Sequence, residues 1–473
     1  MSFIRNVGIL LSLAAVAGCG TIHNAQETQR ALEPKGFGPE ADGARVCLRD
    51  YTLRELVDFA MTNRPSVINA ALAVDDAHLA LREIVADAPL IGRHPWCAPH
   101  LSASGGYSAT SEVGGDNGLR WQTEGNASAG LSLSVLLYDF GRNRARAQAQ
   151  AERVIAAEYA LVREGYVVFE EVATSYFSLM ERDALLEVAL TNEHEYAVHL
   201  RQAKERLAAG EAQRLDVTRA RLDLSRARET TIAASNLVVT TGATLMRALG
   251  IDASRGTRNE VFPPTGEALS VLQRGFADTR YDIGAAFSLA RTNAPAVAIA
   301  RARLRAASRD VDHAIANLLP SVSGQIGLNW VDPIWMWSWG VSAVQSIFEG
   351  FRKTTAVDRA VVAMHTAAAA VDETEQKLSL DLETAIATRD NAVKAWDTAR
   401  ASLVAARENL DMVKARYLEG DASRVDFTDS VSDYAEALGS RVTAFYDGQI
   451  AEARLFALTG RLPEFREESI KED

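Results

Sequence analysis

Two stretches of the chain alternate apolar residues with small or polar ones and predict paired β-strands. In the first stretch, about 100–137, four apolar positions (Leu131, Leu133, Val135 and Leu137) alternate with Ser128, Gly130, Ser132 and Ser134. In the second, about 320–347, a strand carrying Ile326, Leu328 and Trp330 turns at 331–333 and returns with Trp335, Trp337 and Trp339. Such strands suit a membrane barrel, with the tryptophans at the lipid–water interface, and they equally suit a soluble hairpin packed on helices.

The segments that follow each hairpin predict very long helices. Proline is absent from 100–262 and from 334–462, and residues 142–209 contain one glycine, Gly165. Apolar residues there recur three and four positions apart, as in a coiled coil. In the second segment they are Trp396, Ala399, Leu403, Ala406, Leu410, Val413 and Tyr417. We therefore predict coiled-coil helix pairs over 141–249 and 351–459, with single helices of about 65 residues, roughly 100 Å long.

The first residues read as a targeting segment. Arg5 is followed by a short apolar stretch, and Val16-Ala17-Gly18-Cys19 closes it with small residues before a cysteine. This order resembles a bacterial lipobox, which implies cleavage before Cys19 and lipidation of that residue; the alternative is an ordinary signal peptide with an incidental cysteine. Gly20 follows the cysteine rather than aspartate, which by resemblance to sorted lipoproteins indicates the outer membrane. That location favours the barrel interpretation of the strands.

The two halves of the chain repeat each other, which indicates a tandem duplication. Thr62-Asn63-x-Pro65 matches Thr292-Asn293-x-Pro295 at an offset of 230, and the motif from Arg206 to Thr218 matches the motif from Arg416 to Thr428 at an offset of 210. We predict a signal peptide at 1–18, a lipid-anchored tail at 19–50 and repeat one at 51–250. An equatorial linker at 251–280, repeat two at 281–460 and a C-terminal tail at 461–473 complete the division.

Composition and charge exclude several classes of protein. Hydrophobic residues make up 48% of the 473-residue chain and charged residues 24%, which is enough apolar surface for a core. The formal charge of -12 lacks the basic footprint of a nucleic-acid binder. The eight histidines show no metal-ligand spacing, and the sequence offers no phosphate loop or catalytic triad. We therefore expect no cofactor, no metal and no enzymatic activity.

The number of strands predicts an oligomer. Four strands are too few to close a barrel, and an open sheet edge cannot face lipid. Three protomers would supply twelve strands, the smallest symmetric arrangement wide enough for a pore. The predicted fold class is therefore mainly α, with duplicated coiled coils and four strands per chain, assembled as a homotrimer with a twelve-stranded membrane β-barrel.

The duplicated pattern resembles the TolC-type outer-membrane efflux factors over roughly residues 51–460. The resemblance lies in the duplication, in the helix starts after each hairpin, and in the glycine-containing turn between the long helices. The helix starts read Leu137-Tyr138-Asp139-Phe140-Gly141 and Ile347-Phe348-Glu349-Gly350-Phe351, each departing by a residue from the family's Leu-Tyr/Phe-Asp-Gly-Gly. The resemblance implies a homotrimeric duct, with a β-barrel in the outer-membrane lipid that continues into a periplasmic α-barrel. It also implies a periplasmic adaptor and an inner-membrane pump, most often proton-driven, as partners.

The same resemblance places a gate at the turns between the long helices. It implies that Asp426 and Asp429, three residues apart and so on one helix face, ring the narrowest point of the pore. In the first repeat Asp216 matches Asp426, whereas Arg219 stands in the place of Asp429. We hypothesise that Arg214 or Arg219 pairs with an aspartate of an adjacent coil. The alternative is that Asp216 and Asp426 only cap the returning helices.

Further expectations concern the tips and the remaining cysteines. The resemblance implies that the tips around Gly210 and Gly420 meet the adaptor, although glycine is required for such a turn in any case. Cys47 and Cys97 would lie in an oxidising compartment, and by the family topology a disulfide between them stays an open question.

The function predicted from the sequence is passive export of small molecules through an outer-membrane exit duct of a tripartite efflux pump. The alternatives are an exit duct for type I protein secretion, a structural coiled-coil envelope protein that transports nothing, and a stand-alone porin.

Overall fold

The computed structural model describes residues 52–87, 100–113, 121–210, 213–251, 283–331, 334–419 and 421–460. Cys19, Cys47, Cys97 and Gly420, the signal peptide, most of the linker and both tails lie outside this part of the chain. The first repeat contains α1 (Leu53–Asn63), α2 (Pro65–Ala86), β1 (His100–Val113), β2 (Trp121–Tyr138), α3 (Arg142–Ala208) and α4 (Arg214–Ala248). The second contains α5 (Ile283–Asn293), α6 (Pro295–Ala316), β3 (Ser321–Val331), β4 (Ile334–Val344), α7 (Arg352–Glu419) and α8 (Arg424–Thr459).

The four strands form one antiparallel sheet in the order β1-β2-β3-β4. Directly opposite residues share a face of such a sheet. Leu133 pairs with both Leu101 and Ile326, and Ile326 pairs with Trp339, so one face is apolar across all four strands. That face is exposed on β4, where Trp337 and Trp339 are 77% and 84% accessible.

The opposite face of the sheet carries hydroxyl and amide side chains. Ser102 Oγ lies 2.6 Å from Ser132 Oγ, and Ser323 Oγ lies 3.2 Å from Ser342 Oγ. These cross-strand contacts satisfy small polar groups within the sheet. The sheet therefore has the two-sided character of a barrel wall with a lipid face and a water face.

Two consecutive residues with positive φ join each hairpin to its long helix. They are Phe140 and Gly141 at the start of α3, and Gly350 and Phe351 at the start of α7. Asp139 caps α3, because its carboxylate accepts hydrogen bonds from Gly141 N at 3.1 Å and Asn143 N at 2.7 Å. Each turn thus holds one phenylalanine in a backbone region that normally favours glycine.

The long helices pack as two coils. Helix α3 packs on α4 and α7 on α8, and α3 also contacts α8, so that the coils lie side by side. Small residues such as Ala203 and Ala220 are buried at the α3–α4 contact and allow the backbones to approach closely. None of the described helices is long and apolar enough to cross a membrane.

The repeated Asn-x-Pro motif has a packing role. Pro65 and Pro295 are the first residues of α2 and α6, so the proline ends the short helix before it and starts the next one. Gly250, at the end of α4, approaches Arg64, and Gly460, at the end of α8, approaches Asn293. Each coil is thereby closed against the short helices of its own repeat.

We predict that Gly460→Ala lowers the thermal stability of the protein. The substitution places a side chain at φ +70°, and the new Cβ would lie 2.9 Å from the carbonyl oxygen of Asn293. Together these effects should cost about 1–3 kcal/mol, which circular dichroism of the detergent-solubilised protein would detect as a lower melting temperature. Gly439→Ala on the same helix is the control, because its Cβ would meet Leu185 at an ordinary 3.6 Å. Equal melting temperatures for the two variants would contradict the packing role.

Candidate functional site at the helical hairpin turns

The two turns between the long helices share one capping arrangement. Gln213 N donates to Asp216 Oδ2 at 3.1 Å at the start of α4, and Ser423 N donates to Asp426 Oδ2 at 3.1 Å at the start of α8. Asp426 N donates in return to Ser423 Oγ at 3.2 Å. Asp216 and Asp426 each occupy the third position of their helix and complete a capping box with the N-cap residue. The capping role predicted for them as an alternative is therefore present. Gly210, with φ +79°, supplies the left-handed turn after α3.

Capping does not remove Asp426 from solvent. The side chains of Asp426 and Asp429 are both exposed on α8. The Ser423 hydroxyl and backbone N–H, which donate to the carboxylate, lower the pKa of Asp426 below its ordinary value. The group therefore caps α8 and presents a negative charge to water at neutral pH.

The acidic face of α8 extends beyond these two residues. Asp433 and Glu436 are also exposed and continue the spacing of three and four residues along the same face. The corresponding α4 positions are mixed in charge, because Arg219 and Arg226 replace two of the four acids. Sequence reasoning stopped at the family motif, although the spacing itself could have identified the two additional acids.

The polar link between the coils is formed by Arg424 and Asp223. Arg424 Nη1 lies 2.9 Å from Asp223 Oδ2, and the two side chains are only 20% and 19% exposed. Arg214 and Arg219, which the sequence suggested for this role, form no ion pair within the described residues of the single chain. Their pairing with an aspartate of an adjacent coil in the assembled protein stays a prediction.

An aromatic stack lies beside this ion pair. The His199 ring of α3 is stacked on Phe427 of α8 with 5.1 Å between ring centroids, and Tyr417 of α7 is stacked on the same Phe427 at 5.1 Å. His199 Nε2 lies 3.2 Å from Tyr417 Oη, and the guanidinium of Arg206 lies over the Tyr417 ring. Sequence reasoning missed His199, whose counterpart in the second repeat is Asn409. This difference between repeats was the available signal.

Two further contacts join the coils a little farther from the turns. Lys414 Nζ lies 3.1 Å from Glu195 Oε2, and Tyr196 Oη lies 3.1 Å from Ser432 Oγ. All of these contacts are side-chain contacts between separate helices. The coils can therefore move apart without breaking backbone hydrogen bonds.

The contacts also show that the two tips are staggered. Arg424 is the first residue of α8, yet it contacts Asp223, nine residues after Arg214 at the start of α4. At 1.5 Å per residue, the first coil extends roughly 13 Å beyond the second. The Gly210 turn therefore lies at the outer end of the protomer.

No cluster of three or more His, Cys, Asp or Glu side chains suited to a metal ion occurs in the described ranges.

A family described as outer membrane efflux protein matches residues 56–251 and 286–461, more than half of the chain. The chain belongs to the outer membrane efflux protein family. The two matched segments fall one in each repeat. The protein is therefore an outer-membrane efflux protein. Membership in a family of efflux channels is consistent with the expectation that the chain is not an enzyme.

Individual relatives are distant in sequence but cover most of the chain. The probable outer membrane lipoprotein SilC of Salmonella typhimurium is 22% identical over 452 residues, which is 92% of this chain and 91% of SilC. The solved structure of CusC matches this chain with a TM-score of 0.74 at 20% identity, and the match covers 87% of this chain and 92% of the CusC chain. VceC of Vibrio cholerae has a TM-score of 0.70 at 16% identity, with coverages of 86% and 96%. The predicted fold class is confirmed.

We predict that breaking the Arg424–Asp223 pair loosens the first turns of α8. Asp223→Asn leaves the half-buried Arg424 without its partner and should weaken the link between the coils by about 1–3 kcal/mol. Amide hydrogen exchange of residues 424–431 measures this loosening.

The charge-swapped double variant Asp223→Arg/Arg424→Asp should recover much of the protection. Arg416→Gln is the matched control, because the Arg416–Asp421 pair at the same turn is 60% and 76% exposed and should contribute little. An equal effect from both ion pairs would show that the Arg424–Asp223 contact is not the link.

Proposed function

We propose that the protein is the passive exit duct of a tripartite efflux pump, with its periplasmic entrance closed at rest by the α7–α8 coil. The exposed acidic face at the start of α8 is the observation that carries this proposal. It lies at the free end of the coils, about 100 Å of helix away from the sheet. Small molecules delivered at this end would pass along the tube to the polar face of the sheet.

Asp426 and Asp429 are the proposed constriction. In a homotrimer each chain would contribute both carboxylates to a common level, where closely spaced negative charges favour cations. Because the pKa of Asp426 is lowered by donors from Ser423, its negative charge is present above the ordinary pKa and is lost only as the pH falls through the lowered value. The constriction would therefore keep its charge over the neutral and mildly acidic range.

The tips are the proposed contact with a periplasmic adaptor. The Arg424–Asp223 contact, which sets the first coil ahead of the second, supports the Gly210 turn as the leading contact. Gly420, the second predicted contact, lies outside the described residues. An inner-membrane pump, proton-driven as in most such systems, would deliver cargo through that adaptor. The pump, rather than the duct, would supply the energy in this scheme.

The proposed anchor is a lipid on Cys19. The small residues before this cysteine and the likeness to a probable outer membrane lipoprotein support it. A disulfide between Cys47 and Cys97 stays an open question.

We predict that trivalent cations added on the periplasmic side block the conductance of the wild-type protein in planar bilayers. Asp426→Asn/Asp429→Asn should raise the half-blocking concentration by about tenfold or more, since each tenfold change corresponds to roughly 1.4 kcal/mol of cation binding. Single-channel recording measures both quantities. A large open conductance that ignores the cation would favour a porin and contradict the constriction.

Asp216→Asn is the matched control for this experiment. Asp216 has the same capping role in the first repeat but lacks an acidic neighbour at position 219. If the aspartates act only as caps, both variants should raise the half-blocking cation concentration equally. If Asp426 and Asp429 form the constriction, only the variant that replaces them should raise it strongly.

We predict that the mature chain begins at Cys19 and carries acyl chains. Mass spectrometry of the protein isolated from outer membranes should show the loss of residues 1–18 and a lipid-modified first residue, and Cys19→Ala should abolish the modification. An unmodified Cys19 in the mature protein would contradict the lipobox interpretation.

A further inference from the structure

An imidazole is buried between the two coils near the entrance. His199 is 1% exposed. Its Nε2 atom contacts Tyr417 Oη, but its Nδ1 atom is buried and has no hydrogen-bond partner among the described residues. Buried polar atoms are usually paired, so a half-satisfied imidazole at this position calls for an explanation.

Every long helix contributes a neighbour to His199. Tyr417 comes from α7, Phe427 and Arg424 from α8, and Asp223 from α4. On its own helix, Glu195 and Arg206 lie about one and two turns from His199, and they are engaged with Lys414 and with the Tyr417 ring. Asp223, the described carboxylate that raises the pKa of His199, is already paired with Arg424.

This environment accommodates a neutral ring and disfavours a charged one. In either neutral tautomer Nε2 forms a hydrogen bond with the Tyr417 hydroxyl, and Nδ1 is the one ring nitrogen left without a partner among the described residues. The protonated ring has an N–H on both nitrogens, so that a charged donor at the buried Nδ1 would lack an acceptor among the described residues. The Arg424 guanidinium nearby adds like-charge repulsion.

We propose that His199 is the proton sensor of the entrance: the neutral ring holds the two coils together, and its protonation releases them. The inference rests on the proposed function in one respect: it assumes that separation of the coils opens the duct. Acidification of the periplasm would then favour the open entrance without any contact with cargo.

The direction of the pH effect follows from linkage. Burial, and after it the Arg424 charge, lower the pKa of His199, while Asp223 partly opposes them. In a separated state the ring would titrate near its ordinary value of about 6.5. The contact between the coils is therefore fully stable above about 6.5 and weakens as the pH falls from there towards the lowered value. The equilibrium should shift by about tenfold for each unit by which the pKa is lowered.

Amide hydrogen exchange on the full-length protein tests the inference without relying on conduction. After correction for intrinsic exchange, residues 410–417 and 424–431 should exchange faster at pH 5.0 than at pH 7.5 in the wild type. His199→Phe keeps a ring stacked on Phe427 but cannot be protonated, so its exchange should not respond to pH. His194→Phe is the matched control, because His194 is exposed on the same helix and should leave the response intact.

Two results would overturn the inference. One is equal protection of these segments at both pH values in the wild type, and the other is a His199→Phe variant that responds as the wild type does. If His199→Phe fails to fold, the imidazole C2-proton exchange of the wild type decides instead, since an ordinary pKa for His199 would refute the sensor.

Conductance separates this inference from the proposed function. A pH-dependent loosening accompanied by higher conductance at pH 5.0 supports both. The same loosening in a protein that never conducts would retain the sensor and refute the duct.

Discussion

The constraint on which the architecture depends is the pairing of backbone groups at the two edges of the sheet. Strands β1 and β4 lie at these edges, and one face of all four strands is apolar. In a bilayer an unpaired backbone N–H or C=O costs several kcal/mol, so a four-stranded sheet cannot stand there alone. Closure with copies of the same chain removes both edges, and the long helices that continue from β2 and the β4 segment are then brought into one ring.

The two ends of the molecule are held by different kinds of bond. At the sheet, backbone hydrogen bonds run along every strand pair. At the turns, the coils are joined by side-chain contacts, among them Arg424–Asp223 and His199–Tyr417. The entrance opening proposed above would use this division, since side-chain contacts can exchange for water at modest cost.

Much of the architecture could be predicted because it depends on local pattern. Apolar residues at alternate positions, as at Leu131 and Leu133 or at Ile326 and Leu328, predict a strand with two different faces. The absence of proline over long segments permits long helices. The capping aspartates could be found from the duplicated turn, but their dual role could not be decided, because a carboxylate can both accept from an N-cap and face water. The structure places Asp426 in both situations.

The contacts between the coils could not be predicted, since they depend on an axial offset that no local pattern encodes. Matching the repeats aligns Arg424 with Arg214, yet the stagger brings Arg424 against Asp223 instead. The same offset puts His199 opposite Tyr417. A coiled-coil seam fixes which residues face inward but leaves the sliding of one coil along another undetermined.

The central claim is that the sheet is completed only by other copies of the chain. Native mass spectrometry of the protein extracted from membranes tests it most directly. The account predicts one dominant species containing three chains, in which the sheet edges are paired. A stable monomer or dimer that retains the folded sheet would contradict the account, because its edge strands would then be unpaired in the membrane.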